Sequence, residues 1–184
     1  GHSLGGTAAP EIAKQDGKLA GIILLAASSR PVVELVREQV DHVRKVDPEA
    51  AKRLAQLDPE LDAKLDRMKE QKAEDDENLL GASVRYWKSM EALRPVEVVR
   101  EQPDLPVLVL QGGRDYQVTE VDFDRFRKGL EGRANVAFHL FPDLNHAFVK
   151  GEGKSTPAEY QKPGFVDPAV IETIADWVQG LSKP

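Results

Sequence analysis

The chain has 184 residues, of which 41% are hydrophobic and none is cysteine. This length suits one domain with a substantial core, and the lack of cysteine excludes disulfide bonds, thiol catalysis and thiolate metal sites within these residues. The net charge of −6 is spread along the chain, and no apolar run reaches the ~18 residues of a membrane span, so the sequence argues against nucleic acid and membranes as partners.

Helical and strand-like patterns alternate along the chain, which is typical of a parallel sheet covered by helices. Small residues at 6–14 predict a short helix that begins next to Ser3. The near-continuous apolar runs Leu19–Ala26 and Pro106–Gln111 predict strands that are covered on both faces. The mixed run Asn135–Phe141 predicts a third strand.

Residues 31–86 differ from the rest because charged residues and leucine dominate and no strand pattern occurs. Two Asp-Pro-Glu triplets, at 47–49 and 58–60, each predict a helix start, since each offers a capping side chain and a proline for the first helical turn. An apolar stripe follows at three- and four-residue spacing: Leu54, Leu57, Leu61, Leu65 and Met68. We interpret the stripe as packing onto the main body, and the segment as a helical cap-like insertion in a domain that spans 1–184.

Two further helices are predicted after the second and third strands. The first ends at Gly132, and the second opens at Asp167-Pro168. The first helix is indicated by Val121, Phe123, Phe126 and Leu130. The inward positions of the second are expected to be Val170, Ile174, Trp177, Val178 and Leu181.

Residues 1–5, Gly-His-Ser-Leu-Gly, form a Gly-x-Ser-x-Gly motif, which places a nucleophilic serine on a sharp turn between a strand and a helix. We expect the missing side chains of Gly1 and Gly5 to let neighbouring backbone approach that turn. The motif arises by chance often enough to be weak alone, and Ser3 by itself could be an ordinary turn serine.

Two more residues complete the groups that acyl transfer needs, namely a hydroxyl, an imidazole and a carboxylate. Asp115 follows the second predicted strand and His146 follows the third. Each residue alone commonly has a structural role, but the order Ser, Asp, His is that of one known catalytic arrangement. Ser3, Asp115 and His146 together therefore predict a catalytic triad.

Other acids and histidines are less suitable candidates. We expect His139 to be packed in the middle of its strand, and His42 lies in the helical insertion. His2, next to the serine, is interpreted as structural or pocket-lining rather than as a base. Asp122 and Asp143 are less well placed than the acid already named.

The three motifs resemble the catalytic motifs of the α/β-hydrolase superfamily: Gly-His-Ser-Leu-Gly-Gly at 1–6, Leu-Gln-Gly-Gly-Arg-Asp-Tyr-Gln-Val at 110–118 and Leu-Asn-His-Ala-Phe at 144–148. Within it the chain most resembles bacterial serine esterases related to dienelactone hydrolases and serine aminopeptidase-like hydrolases, and residues 151–167 are similar to the loop after their histidine. The resemblance implies the carboxyl-terminal part of an α/β-hydrolase fold, with about three parallel strands, flanking helices and a helical cap.

The same resemblance implies that Ser3 is the nucleophile, Asp115 the acid and His146 the base, with the backbone N–H of Leu4 as half of the oxyanion hole. It implies a small-molecule ester as substrate. The residues themselves imply neither a metal nor an organic cofactor, because no cluster of histidine and carboxylate residues has ligand spacing and no Gly-x-Gly-x-x-Gly motif follows a strand. A serine peptidase or acyl-peptide hydrolase of the same fold is the alternative, because a triad does not separate esters from amides. A non-catalytic fragment that binds a partner is the second alternative.

The chain departs from the family pattern because the strands expected before the nucleophile are absent from this sequence. We expect it to be a partial sequence whose efficient catalysis needs those strands. An uncovered sheet edge would then be open to the missing amino-terminal half or to a swapped copy of the chain. The compartment is not fixed by these residues.

Overall fold

The computed structural model of the chain describes residues 1–181, which fall into two compact units. The sheet unit comprises 1–29, 93–155 and the described residues from 163 onward. The helical unit comprises 30–92 and 156–162. In chain order the elements are α1 (Leu4–Asp16), β1 (Ile22–Leu25), α2 (Val32–Val46), α3 (Pro48–Leu57), α4 (Leu61–Lys69), β2 (Asn78–Leu79), β3 (Ala82–Ser83), α5 (Val84–Glu91), α6 (Pro95–Arg100), β4 (Val107–Gly112), α7 (Glu120–Gly129), β5 (Val136–Phe141), a short 3₁₀ helix (Pro157–Gln161) and α8 (Pro168–Leu181).

The sheet unit contains three parallel strands in the order β1-β4-β5, which confirms the predicted α/β architecture. Val107 of β4 lies opposite Ile22 on one side and Val136 on the other. Residues before α1 run beside the end of β1, where the Ser3 N–H donates to the Leu25 carbonyl at 2.8 Å. The carboxyl ends of β1, β4 and β5 therefore meet at one edge of the sheet, together with the start of α1.

The central strand β4 is buried along its whole length because both of its faces carry a core. Val107 and Val109 pack with residues of α1, α6 and α7, whereas Leu108 and Leu110 pack on the opposite face with Val170 of α8. This two-sided burial explains why the strand is apolar without alternation.

One predicted inward position on α8 is wrong, and one of the apolar residues that indicated α7 is exposed. Val121 of α7 is 50% exposed and Val178 of α8 is 45% exposed. Asp122 takes the inward position beside Val121, because its buried carboxylate accepts hydrogen bonds from the backbone N–H of Ser29 at 2.7 Å and from its hydroxyl at 3.2 Å. The helix also ends at Gly129 rather than at Gly132.

The helical unit differs from the predicted pattern in its strands and in its apolar stripe. Its helices accompany a small antiparallel hairpin of β2 and β3, where no strand was predicted. Leu57 is 68% exposed, although the stripe placed it inward. The core of this unit consists of Val33, Val36, Val40, Leu61, Leu65, Met68, Ala73, Leu79 and Val84.

Only one of the two Asp-Pro-Glu triplets starts a helix as predicted. Asp47 caps α3, since its side chain accepts from the Ala50 N–H at 2.8 Å. Asp58 instead is buried and accepts from the Lys64 ammonium at 2.8 Å and from the Leu80 N–H. Its carboxylate therefore does not cap a helix, and α4 begins later, at Leu61.

Candidate active site

Ser3 lies on a strained turn directly before α1. Its φ of 53° and ψ of −121° are rare for a residue with a side chain. The turn is fixed by two hydrogen bonds of its own backbone, from the Ser3 N–H to Leu25 and from the Thr7 N–H to the Ser3 carbonyl at 3.0 Å. Such a strained strand-to-helix turn projects the side chain at the carboxyl end of a sheet.

Glycine is required at two positions of this turn, and one of them differs from the expectation. A Cβ on Gly1 would lie 2.2 Å from the Gly5 carbonyl oxygen. A Cβ on Gly5 would meet nothing within 4 Å, so the expectation of a close approach there is wrong. Gly6 provides the second close approach instead, because its Cβ would lie 2.9 Å from the Ala27 Cβ.

His146 and Asp115 form a buried hydrogen-bonded pair. The distance from His146 Nδ1 to Asp115 Oδ2 is 2.7 Å, and their side chains are 8% and 0% exposed. Asp115 follows β4 and His146 follows β5, and these neighbouring parallel strands end at the same edge. The register of the sheet thus brings together two residues that are 31 positions apart.

The Asp115 carboxylate accepts from three donors besides His146. Its Oδ1 accepts from the N–H groups of Gln117 at 2.7 Å and Val118 at 3.1 Å. Its Oδ2 accepts from Gln111 Nε2 at 3.3 Å, and this amide also donates to the Val118 carbonyl at 2.8 Å. These donors fix the direction of the carboxylate toward the imidazole.

Sequence reasoning did not single out Gln111 or Asn145, although each carried a signal. Gln111 is a polar residue at the end of an apolar strand and is only 1% exposed. Asn145 is 2% exposed, and its side-chain oxygen accepts from the N–H groups of Ala147 at 3.0 Å and Val149 at 3.1 Å. Asparagine commonly forms such turns, and here it shapes the loop that carries His146.

Arg114 fastens the loop that follows this histidine. Its Nε donates to the Gly153 carbonyl at 2.6 Å, and its Nη2 donates to the Glu152 carbonyl at 3.0 Å. A side chain at Gly151 would collide with the guanidinium, since a Cβ there would lie 2.2 Å from Nη1. Ser155 Oγ donates to the Arg114 carbonyl at 2.8 Å, so the loops after β4 and β5 are joined at several points.

His2 connects the serine turn to the His146 loop. Its Nε2 lies 2.7 Å from the His146 carbonyl oxygen, and the centroids of the two imidazole rings are 4.6 Å apart at an interplanar angle of 50°. Because His2 precedes Ser3 directly, this contact puts the serine turn and the imidazole at the same edge of the sheet.

The other candidate residues are not members of the His146–Asp115 pair. His139 is exposed on the edge strand β5, so the expectation that it is packed is wrong. His42 lies half-buried on α2, in the helical unit. Asp143 is exposed, and Asp122 is engaged with Ser29.

Within residues 1–181, no cluster of three or more histidine or acidic side chains could hold a metal ion. The helices of the same region include none with both the length and the apolar character to cross a membrane.

The family model described as serine aminopeptidase, S33, matches residues 1–153. The chain belongs to this family of α/β hydrolases. It is 39% identical over 178 residues to the esterase EstD of Thermotoga maritima, an alignment that covers 97% of this chain and 41% of that protein. This chain thus spans less than half the length of EstD.

Two solved structures are also similar to this S33 family member. One is a thermophilic esterase from Thermogutta terrifontis, with 19% identity, 100% of this chain and 64% of that one covered, and a TM-score of 0.48. The other is a monoacylglycerol lipase from Paleococcus ferrophilus, with 19% identity, 96% and 67% covered, and the same TM-score of 0.48.

Proposed function

We propose that this chain carries the catalytic residues of a serine carboxylic ester hydrolase. The observation that supports this most is the buried hydrogen bond between His146 and Asp115, at the sheet edge where the strained turn of Ser3 also lies. In such a buried pair the acid orients the histidine as a base. The nucleophile that such a base activates is commonly a serine on a strained turn. The esterase name of the Thermotoga maritima relative favours an ester as substrate.

In the proposed acylation, the Nδ1–H group of His146 donates a hydrogen bond to the Asp115 carboxylate, so Nε2 has a free electron pair. This nitrogen takes the proton of Ser3 Oγ while the oxygen attacks the ester carbonyl carbon. The carbonyl electron pair moves onto its oxygen, which gives a tetrahedral oxyanion. When that intermediate collapses, the bond from carbon to the alcohol oxygen breaks, the imidazolium returns its proton to the departing alcohol, and an acyl-serine remains.

Deacylation repeats these steps with water. His146 takes a proton from the water as its oxygen attacks the acyl carbon, and it then protonates Ser3 Oγ as the acid leaves. Both stages place positive charge on the imidazole, and the ionised Asp115 stabilises that charge across the 2.7 Å hydrogen bond. The reaction needs no metal ion or organic cofactor at any step.

Leu4 is proposed as one donor to the oxyanion. It is the first residue of α1, and the N–H groups of a first helical turn have no acceptor within the helix. Its N–H follows the nucleophile directly, which is where this catalytic arrangement puts an oxyanion donor. The positive end of the helix dipole further favours negative charge at this point.

A serine peptidase is the second candidate, because the matching family model is described as a serine aminopeptidase. The two candidates use the same residues and differ in the leaving group, an alcohol or an amine. Hydrolysis of short p-nitrophenyl esters without cleavage of aminoacyl-naphthylamides would support the esterase, and the reverse preference would support the peptidase.

The test compares the wild type with Ser3→Ala and with Ser89→Ala, which alters an exposed serine on α5. We expect Ser3→Ala to lower ester hydrolysis by at least ~10³-fold and Ser89→Ala to leave it unchanged. Equal activity of Ser3→Ala and wild type would contradict the proposed mechanism. A folded wild type that hydrolysed no ester would instead leave a binding role, which does not require the hydroxyl, as the remaining alternative.

A further inference from the structure

We propose that His2 is a positioning residue that holds the His146 imidazole at the serine turn. The inference rests on the proposed function, since it concerns how the base meets the nucleophile. His2 would act through His146 and would not itself exchange a proton with the substrate.

The backbone around His2 is held in place by strand pairing, which suits His2 to this role. His2 forms a parallel bridge with Leu25 at the end of β1. On either side of it, the Leu25 N–H donates to the Gly1 carbonyl at 2.9 Å and the Ser3 N–H donates to the Leu25 carbonyl at 2.8 Å. The side chain of His2 therefore projects from a fixed point one residue away from the proposed nucleophile.

A hydrogen bond joins this fixed point to the His146 loop. His2 Nε2 lies 2.7 Å from the His146 carbonyl oxygen, across 144 positions of sequence. Because a carbonyl oxygen only accepts, Nε2 must carry a hydrogen and donate it. The bond thereby sets the distance between the backbone of the proposed nucleophile and that of the proposed base.

The ring of His2 restrains the imidazole itself. The ring centroids of His2 and His146 are 4.6 Å apart, and those of His2 and Phe148 are 6.3 Å apart in an edge-to-face arrangement. Asp115 holds the His146 ring at Nδ1. The hydrogen bond to Asp115 fixes the direction of the ring, and the contact with His2 limits its tilt, so Nε2 is held in one orientation.

Positioning can be separated from packing because His2 is an exposed residue. Exposed side chains usually contribute little to folding stability. A misplacement of the reacting groups by 1 Å, by contrast, can lower a rate by as much as ~10²-fold. Replacing His2 should therefore lower the reactivity of Ser3 without a matching loss of stability.

Three variants distinguish the two contacts of His2, namely its hydrogen bond to the His146 carbonyl and its ring contact with the imidazole. His2→Gln keeps a donor near the position of Nε2, His2→Phe keeps a ring without the donor, and His2→Ala removes both. His139→Gln is the matched control, since His139 is exposed on β5. Each protein would be reacted with a fluorophosphonate probe, and the maximal rate and the half-saturating probe concentration of Ser3 labelling would be measured beside the thermal unfolding curve.

We expect His2→Gln to lie within about threefold of the wild-type maximal rate, His2→Phe about tenfold below it and His2→Ala up to ~10²-fold below it. The half-saturating concentration and the unfolding temperature should be unchanged in all three variants. The His139→Gln control should match the wild type in every measurement. Wild-type rates in all three variants, or rate losses that follow a loss of folding, would overturn the proposal.

A second readout is independent of the proposed function. The hydrogen-bonded Nδ1 proton of His146 should give a downfield NMR signal that is kept in His2→Gln and broadened by solvent exchange in His2→Ala. If the wild type did not react with the fluorophosphonate, the nucleophilic role of Ser3 would be contradicted, but this NMR signal would still test the role of His2. An identical, sharp signal in wild type and His2→Ala would overturn the positioning role.

Discussion

Replacing Asp115 by asparagine tests the proposed acid with little change in shape. The carboxylate accepts four hydrogen bonds, from the N–H groups of Gln117 and Val118, from Gln111 Nε2 and from His146 Nδ1. An amide has one acceptor and one donor group in place of two acceptors. If its oxygen keeps the two backbone donors, its NH₂ group faces the amide of Gln111 and the imidazole.

The cost to stability and the cost to reactivity should then differ widely. His146 can accept from the new NH₂ group by moving its own hydrogen to Nε2, so only the contact with Gln111 is left mismatched. One buried, mismatched donor costs about 1–3 kcal/mol of unfolding free energy. The moved hydrogen, however, leaves Nε2 unable to take the Ser3 proton, and the same tautomer error in a well-studied serine protease lowers the rate by ~10⁴-fold.

The assay measures fluorophosphonate labelling of Ser3 and chemical unfolding of the same protein. Asp143→Asn is the matched control, because Asp143 is an exposed acid in the neighbouring loop. We expect the control to match the wild type in both measurements. If Asp115→Asn reacted at the wild-type rate, Asp115 would not orient the base, and the reasoning from its hydrogen bonds would be refuted.

Three further predictions concern the turn and the helical unit. Gly6→Ala should destabilise the fold by about 1–3 kcal/mol through its close contacts, whereas Gly5→Ala should not, as chemical unfolding would show. Leu65→Ala should cost about 2–5 kcal/mol in the same assay, since Leu65 is fully buried. The hydrogen bond from Arg67 lowers the pKa of Glu77 in the folded protein. This pair therefore stabilises the fold at pH values above the unfolded pKa of about 4.3, and the stabilisation is lost as the pH falls through the lower folded pKa. Wild type should melt at a higher temperature than Glu77→Gln at pH 7, and this difference should be absent in strong acid.

Equal unfolding of Gly5→Ala and Gly6→Ala would contradict the assigned close approach. A loss below about 0.5 kcal/mol for Leu65→Ala would contradict its burial. A melting difference between wild type and Glu77→Gln that persisted unchanged into strong acid would show that the ion pair is not its source.

The sheet could be predicted from sequence because a strand that is buried on both faces requires an uninterrupted run of apolar residues. The run at 106–111 has no polar alternation until Gln111, and the structure buries it between two cores. Parallel strands in neighbouring positions also end together, so residues placed after β4 and β5 were expected to meet. The 2.7 Å contact between His146 and Asp115 follows from that topology.

Other features depend on contacts that no local pattern records. The mid-strand position of His139 suggested burial, but β5 is an edge strand and this face is exposed. The motif drew attention to Gly5, whereas the close approach to Ala27 occurs at Gly6. The role of Asp58 could not be foreseen, since Lys64 and Leu80 reach it only after the helical unit has folded.

The most direct test of the central claim is the intact mass of this chain after reaction with a fluorophosphonate, measured for wild type and Ser3→Ala. The sequence led us to expect that efficient catalysis needs further strands, but the strained turn and the His146–Asp115 pair are both held within the sheet unit. We therefore predict a single adduct, located on Ser3 and absent from the variant. A folded wild-type chain without an adduct, or an adduct that persists in Ser3→Ala, would contradict the claim that Ser3 is the activated nucleophile.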